Sequence, residues 1–417
     1  MSIILKSAKV INAESKYNGT KQDILISEGK IVKIAESIID KHATVINVKN
    51  LHVSNGWFDS SVSFGEPGYE ERETIENGSV VASKSGFTGI LLNSNTKPVA
   101  DNQTDISFIK LKSKNSICNI HPLGALTVSS KSKKMAELFD MKNSGAVGFY
   151  DYKKSIQSSN LLKTSLLYSQ SFNSVVMSFP FDESIAKNGI INEGKISVNY
   201  GIKGIPNFSE EIQINRDLHI LEYTGGNLHI PTISTKKSLD LIKIAKSKGL
   251  NVTCSVAIHN LIFNENKLKD FDTRFKVLPP LRTEKDRLAL IKGVKSGDID
   301  LVTSDHCPID VENKKTDIDN ALYGTIGLES FYGALLSLFN LEESINILTK
   351  GRKIFNIKDV EFKEGSTANL SLFTICKEYI FSKEHIFSKS KNSAFLGYKM
   401  KGKPIGIINS NKTYINE

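Results

Sequence analysis

The chain of 417 residues holds only four cysteines, Cys118, Cys254, Cys307 and Cys376, and no two of them form a CxxC pair. That spacing argues against a disulfide framework or a zinc knuckle, and buried free thiols in a reducing compartment fit better. Long apolar runs are missing as well: no stretch approaches the roughly 20 residues needed to cross a bilayer. The opening MSIILKSAKVINAESKYNG breaks into polar positions too soon for a secretory leader. These absences predict a cytoplasmic protein without membrane contact. Histidine is scarce, eight in all, and neither a His-x-His nor an HExxH pair occurs. The two commonest ready-made zinc patterns are therefore excluded.

Acidic residues are outnumbered, leaving a net charge of +9. The lysines are nevertheless scattered, with brief clusters such as Lys131, Lys133 and Lys134, and no arginine–aromatic stripe accompanies them. A solvated basic surface accounts for the charge, and nucleic-acid binding is not expected. Hydrophobic content of 40% and charged content of 24% are ordinary for a globular protein with a sizeable core.

What is present is a repeated unit. From about residue 52 to 306, an amphipathic segment ends at Gly or Asn and a short β-branched run follows. Helices are predicted at Glu76–Ser85, Lys134–Asn143, Glu210–Tyr223, Ser238–Lys248 and Thr283–Lys295, each closed by a nearby glycine. Strands are predicted at Phe87–Leu92, Ala146–Asp151, Leu228–Ile233, Leu250–Val256 and Ile299–Ser304. Ile117–Ile120, Ser174–Met177 and the stretch near Gly56–Asp59 bring the count to about eight, at which parallel β/α units close into a barrel. An open doubly wound sheet would want a glycine-rich phosphate turn after an early strand, and none is visible. Both flanks carry short strands: Ile3–Ile11, Asp23–Ser27 and Lys30–Ile34 at one end, Asn369–Thr374, Leu396–Met400 and Pro404–Ile408 at the other. Neither set suffices for a stable sheet alone. The predicted organisation is a small β domain from residues 1–50 plus 362–417, with a barrel over residues 51–361.

Functional residues of such a barrel lie at the C-terminal ends of its strands. There the chain reads Asp59-Ser60-Ser61-Val62-Ser63-Phe64-Gly65-Glu66-Pro67-Gly68, then Asn95-Thr96-Lys97-Pro98, Phe149-Tyr150-Asp151, and Ser178-Phe179-Pro180-Phe181-Asp182. Further on come His229-Ile230-Pro231-Thr232-Ile233-Ser234-Thr235, the run from Lys276 to Arg282, Asp305-His306-Cys307-Pro308-Ile309, and the block from Ser388 to Gly397. In this order, across residues 50 to 400, the segments resemble dihydroorotases of type I, members of the metal-dependent amidohydrolase superfamily. The resemblance implies a metal-dependent-hydrolase-like (β/α)8 TIM barrel with a small β-sandwich domain formed by the two ends of the chain.

The departures from the family pattern bear on activity. Ser61 and Ser63 stand on the family's His-x-His, Phe179 on a third histidine and Thr232 on a fourth; Asp151 and Asp305 remain as carboxylates at the ligand positions. Gly65 replaces the arginine that clamps the substrate carboxylate, Leu278 an asparagine and Ile309 a histidine, whereas Asn95 survives as a substrate contact. Family catalysis needs a zinc-bound hydroxide, and neutral hydroxyls or a phenyl ring are poor substitutes for imidazole. The expectation is a family member with the zinc site lost, no cofactor, and Asp305 as an inactive remnant of the general base.

Three functions stay open. The first is a non-catalytic partner of aspartate transcarbamoylase, since family members of this type associate with that enzyme and some inactive ones act as its scaffold; a homo-oligomer is expected. The second is an active dihydroorotase or related cyclic-amide hydrolase with a rebuilt metal site. The third is a sensor of a small ligand in the barrel. His306 follows the strand-end aspartate and is read as a hydrogen-bonded packing residue rather than an acid or base; His229 and His259 lie near strand ends and are not expected to be recruited as ligands, and Cys307 is read as facing away from His306. The Glu70–Glu73 run reads as a solvated helix start.

Overall fold

The computed structural model describes residues 2–416. Five strands open the chain: β1 (Ser2–Val10), β2 (Lys21–Ser27), β3 (Lys30–Ala35), β4 (Thr44–Ile46) and β5 (Leu51–Asn55). Next come β6 (Trp57–Val62), β7 (Phe87–Leu92), β8 (Asn119–Pro122), β9 (Gly148–Tyr150) and β10 (Val175–Met177). A two-residue ribbon, β11 (Ile191–Asn192) and β12 (Gly204–Ile205), precedes β13 (Asn227–Ile230), β14 (Val252–Ala257) and β15 (Leu301–Thr303). The tail adds β16 (Asn369–Thr374), the short β17 (Tyr379–Ile380) and β18 (Lys399–Met400), then β19 (Lys403–Asn409) and β20 (Lys412–Ile415).

The barrel consists of two parallel arcs, β6-β7-β8 and β9-β10-β13-β14-β15. Bridges between Val62 and His306 and between Gly124 and Phe149 join the arcs into a closed ring of eight strands. The strands are short and buried on both faces, as parallel strands under a helical cover should be: every residue of β6, β7, β9, β10 and β15 is buried, including the polar Asp59, Ser60 and Ser61 of β6. Helices cover the outside, and several of them stop at a glycine. Gly297, for instance, follows the helix Glu284–Ser296 in the left-handed region at φ 78°.

The remaining strands hydrogen-bond in the order β20-β19-β16-β5-β1-β2-β3, with β4 alongside β1. Both ends of the chain thus build one small β domain around Ile3, Leu5, Ile24, Ile26, Leu370 and Ile408. The (β/α)8 barrel with a terminal β domain is the fold the sequence predicts. Leu51–Asn55, which the predicted segmentation assigns to the barrel, pairs with β16 and β1 in the terminal sheet. Trp57, fully buried, joins the two units by packing on Phe87, Tyr332 and Phe373.

Several predicted elements shrink, the strands expected over Ala146–Asp151 and Ile299–Ser304 to three residues each. The helix expected over Lys134–Asn143 begins only at Leu138, because the backbone of Lys134 accepts from Val128 and Met135 bridges Thr127. The strand expected over Leu396–Met400 is reduced to β18, because Phe395–Tyr398 closes a turn and Gly397 sits at φ 85°. Among the described residues no helix is long and apolar enough to cross a membrane.

Candidate functional site

The C-terminal strand ends converge as the barrel rule demands. β6 leads into Ser61 and Ser63, β7 into Asn93 and Asn95, β9 into Asp151 and Lys153, β10 into Phe179, β13 into Thr232, β14 into His259 and β15 into Asp305. Asp59 ties the first strand to the last: its carboxylate accepts from the amides of Ser61 at 3.2 Å and Ser304 at 3.1 Å and from the Thr303 hydroxyl. Burial pushes this carboxyl up to about 6, against those hydrogen bonds.

Asp305 is the centre of the polar cluster. It is 1% exposed and held in the left-handed region at φ 47°. Ser61 Oγ donates to Asp305 Oδ1 at 3.1 Å, and Asn93 Nδ2 donates to the hydroxyls of both Ser61 (3.2 Å) and Ser63 (3.1 Å). On the other side Lys153 Nζ lies 2.7 Å from Asp305 Oδ2, with the two side chains 9% and 1% exposed. Burial drives the Asp305 carboxyl above its ordinary range while the Lys153 charge pulls it back. Each oxygen of this carboxylate thus has a donor from the chain itself.

Asp151 does not join this cluster. Its carboxylate accepts from the Thr127 amide at 3.0 Å and from the Thr127 hydroxyl, which secures the loop after β8. The expected pairing of Asp151 with Asp305 as surviving ligands is therefore replaced by Lys153 with Asp305. Phe179 is buried among Tyr150, Met177, Leu278 and Phe355 and stacks on Phe181 at 6.0 Å. Thr232 sits at φ 52°, its amide on Ser255 Oγ at 3.1 Å, and its buried hydroxyl has no partner among the described residues. Asn95 is half-buried, and its Oδ1 is likewise without a partner among the described residues.

His229, His259 and His306 are all buried, the packed role expected of His306, although not all three are hydrogen-bonded. His229 has both ring nitrogens engaged, with Thr253 at 2.9 Å and Ser255 at 3.2 Å, and burial pushes it down to about 3. His306 Nδ1 accepts from the amides of Gly327 and Leu328, so its proton resides on Nε2; burial lowers it to about 3. His259 differs: both its nitrogens are buried without a partner among the described residues. Burial holds all three neutral.

The donor set does not fit a zinc ion. Zinc takes imidazole, thiolate or carboxylate in a tetrahedral arrangement at about 2.0–2.3 Å. Here the Asp305 carboxylate meets a hydroxyl and an ammonium, and the Asn93 carboxamide bonds the serine hydroxyls beside it. Among the described residues, no three His, Cys, Asp or Glu side chains are grouped to hold a metal ion.

The substrate-clamp position is closed too. A Cβ on Gly65 would stand 1.8 Å from the carbonyl oxygen of Tyr69, which excludes any side chain on this backbone. The next turn holds the same loop: Gly65 N donates to Glu73 O, and Tyr69 N to Gly65 O. Glu73 is not the solvated residue the sequence suggests. It is fully buried, accepting from the amides of Thr74 and Lys389 and from Asn77.

The motif residues that survive share a different character. Arg282 is buried and donates to Asn192 Oδ1, the Ile205 carbonyl and Ser234 Oγ. Asn392 holds the loop after β15 through Ile309 N at 3.1 Å and the Cys307 carbonyl at 3.1 Å. Ser388 caps Glu329, and Ser390 donates to the Arg72 carbonyl. Each fixes backbone. Asn93 and Lys153, by contrast, escape the sequence reading; their only signal is a place one or three residues past the end of a strand.

Comparison with known proteins places these features. A family model described as dihydro-orotase-like matches residues 52–238. A dihydroorotase from Caldicellulosiruptor saccharolyticus is 36% identical over 406 residues, covering 95% of this chain and 94% of that protein. One from Aquifex aeolicus is 35% identical over 419 residues, covering 99% of each. Among solved structures, L-hydantoinase from Arthrobacter aurescens superposes with a TM-score of 0.85 at 22% identity, over 99% of this chain and 96% of that one. That last likeness concerns the fold.

Proposed function

The chain belongs to the dihydroorotase family, and from that premise we propose that it is a non-catalytic member, retained in pyrimidine biosynthesis as a structural partner rather than as a hydrolase. The observation that carries the reading is the occupation of Asp305. In a hydrolase of this family a strand-end aspartate must face a metal-activated water; here the Ser61 hydroxyl and the Lys153 ammonium take its oxygens. Phe179 where a ligand is expected, and the closed backbone at Gly65, support the same conclusion.

The partner proposed is aspartate transcarbamoylase, a choice that rests on the family resemblance alone. Co-purification of the two proteins from the same organism tests it. Co-elution at micromolar concentration is the expected result, and separate elution removes the scaffold role.

A second reading is an active cyclic-amide hydrolase with a rebuilt metal site. The relatives support it, since those reported above are named dihydroorotases at 35–36% identity over nearly full length. Taken alone, the comparisons favour this alternative; the geometry around Asp305 favours the first. Turnover of dihydroorotate by the purified protein, with divalent metal supplied, separates the two.

A further inference from the structure

We propose that Lys153 is the resident cation of this barrel: a charge built into the chain that neutralises Asp305 and braces the barrel mouth without a bound metal. The proposal rests on the non-catalytic reading of the same site and extends it to what now holds the mouth together.

Topology gives the first argument. In the five-stranded arc β9-β10-β13-β14-β15, the outermost strands are β9 and β15. Lys153 follows β9 and Asp305 follows β15, so their 2.7 Å contact spans the mouth from one end of the arc to the other. Ser61 extends the connection from Asp305 to β6. Three strand ends thus meet on one carboxylate.

Electrostatics gives the second. A buried carboxylate stripped of water needs a cation or several donors to remain ionised. Among the described residues Lys153 is the only basic side chain hydrogen-bonded to Asp305, and the neutral Ser61 hydroxyl donates to the other carboxylate oxygen. The ammonium is equally dependent on the pair, because among the described residues it makes no other hydrogen bond while being 9% exposed.

Backbone placement gives the third. Lys153 sits at φ 52° and Asp305 at φ 47°, a region that L side chains rarely adopt. The turn that delivers the lysine is fixed from within: Lys153 N donates to Tyr150 Oη at 3.1 Å, and the ammonium lies 5.2 Å from the Tyr152 ring centroid. A lysine bound for solvent needs neither the strained backbone nor this enclosure.

A double-mutant cycle on the full chain tests the proposal, with Lys153→Met, Asp305→Asn and the double variant followed by thermal unfolding. Each single change leaves one buried partner unmatched and is expected to lower the midpoint by at least about 5 °C. The double variant is expected to recover more than half of the summed loss. A readout specific to a missing cation accompanies the cycle: Lys153→Ala should gain stability in methylammonium chloride over sodium chloride at equal ionic strength, and the wild type should not. Additive losses, or no loss in Lys153→Met, would overturn the proposal. So would a double variant that fails to fold, or a Lys153→Ala that methylammonium leaves unchanged. Wild-type turnover of dihydroorotate would remove the non-catalytic reading while leaving the cycle to be judged separately, and an additive cycle in an inactive protein would remove only the resident cation.

Discussion

Ser61 Oγ and Asp305 Oδ1 lie 3.1 Å apart although 244 residues separate them in the chain. The contact joins the first barrel strand to the last at the position where the family resemblance calls for a histidine and an aspartate on a common metal. Serine and aspartate satisfy one another directly, and Asn93 completes the cluster from the neighbouring strand. What remains is a hydrogen-bond network that stabilises the barrel mouth.

The loop at Gly65 should not tolerate a side chain. Gly65→Ala sets its Cβ against the Tyr69 carbonyl, a backbone atom that cannot swing aside. The expected loss is about 2–4 kcal/mol in urea unfolding, by the overpacking and backbone mechanisms. Gly65→Arg, which restores the family's clamp in name, should be destabilised at least as much and gain no affinity for dihydroorotate in calorimetry.

Phe179 acts as a plug in the apolar half of the mouth. Phe179→Ala should cost about 3–5 kcal/mol, the range for a buried phenyl ring lost to a cavity, measured from the urea midpoint. A change below about 1 kcal/mol would show that Phe181 and Leu278 collapse into the space.

Lys314 should make stability rise with pH above neutrality. It is nearly fully buried, and burial lowers it to about 7, with its ammonium on the carbonyls of Lys276 and Leu322. Between pH 7 and the ordinary lysine range the unfolded chain holds this proton and the folded chain does not. Folding is therefore favoured as pH increases through that window, and the benefit is absent below it. Relative to Lys314→Met, the wild type should gain up to about 1.4 kcal/mol per pH unit between pH 7 and 9. Urea midpoints at three pH values give the slope; a flat difference contradicts it.

The framework was legible in the sequence because it is written in periodic and local signals. Phe87–Leu92 and Asn369–Thr374 coincide with the predicted strands to the residue, and glycine marks the helix ends. The lost ligand positions were legible for the same reason, since Ser61, Ser63 and Phe179 sit at fixed offsets within motifs. The replacement chemistry was not. Lys153 reaches Asp305 only because its backbone enters the left-handed region after β9, a conformation no pattern in Asp151-Tyr152-Lys153 announces. The burial of Glu73 was missed likewise: its partners Asn77 and Lys389 include one more than 300 residues away. Contacts of that range depend on the assembled barrel.

Chelation should leave the protein unchanged. If Lys153 serves Asp305 in place of a metal, dialysis against a strong zinc chelator should shift the thermal midpoint by less than about 1 °C. A drop of several degrees, reversed by zinc, would reveal a metal contribution to the folded state.

The most direct measurement is dihydroorotate turnover by the purified wild-type protein, with zinc, cobalt or manganese supplied in turn and bound metal quantified on the same sample. The account predicts no turnover above the buffer background and well under one equivalent of retained metal. Stoichiometric tightly held metal together with hydrolysis of the ring amide would contradict it.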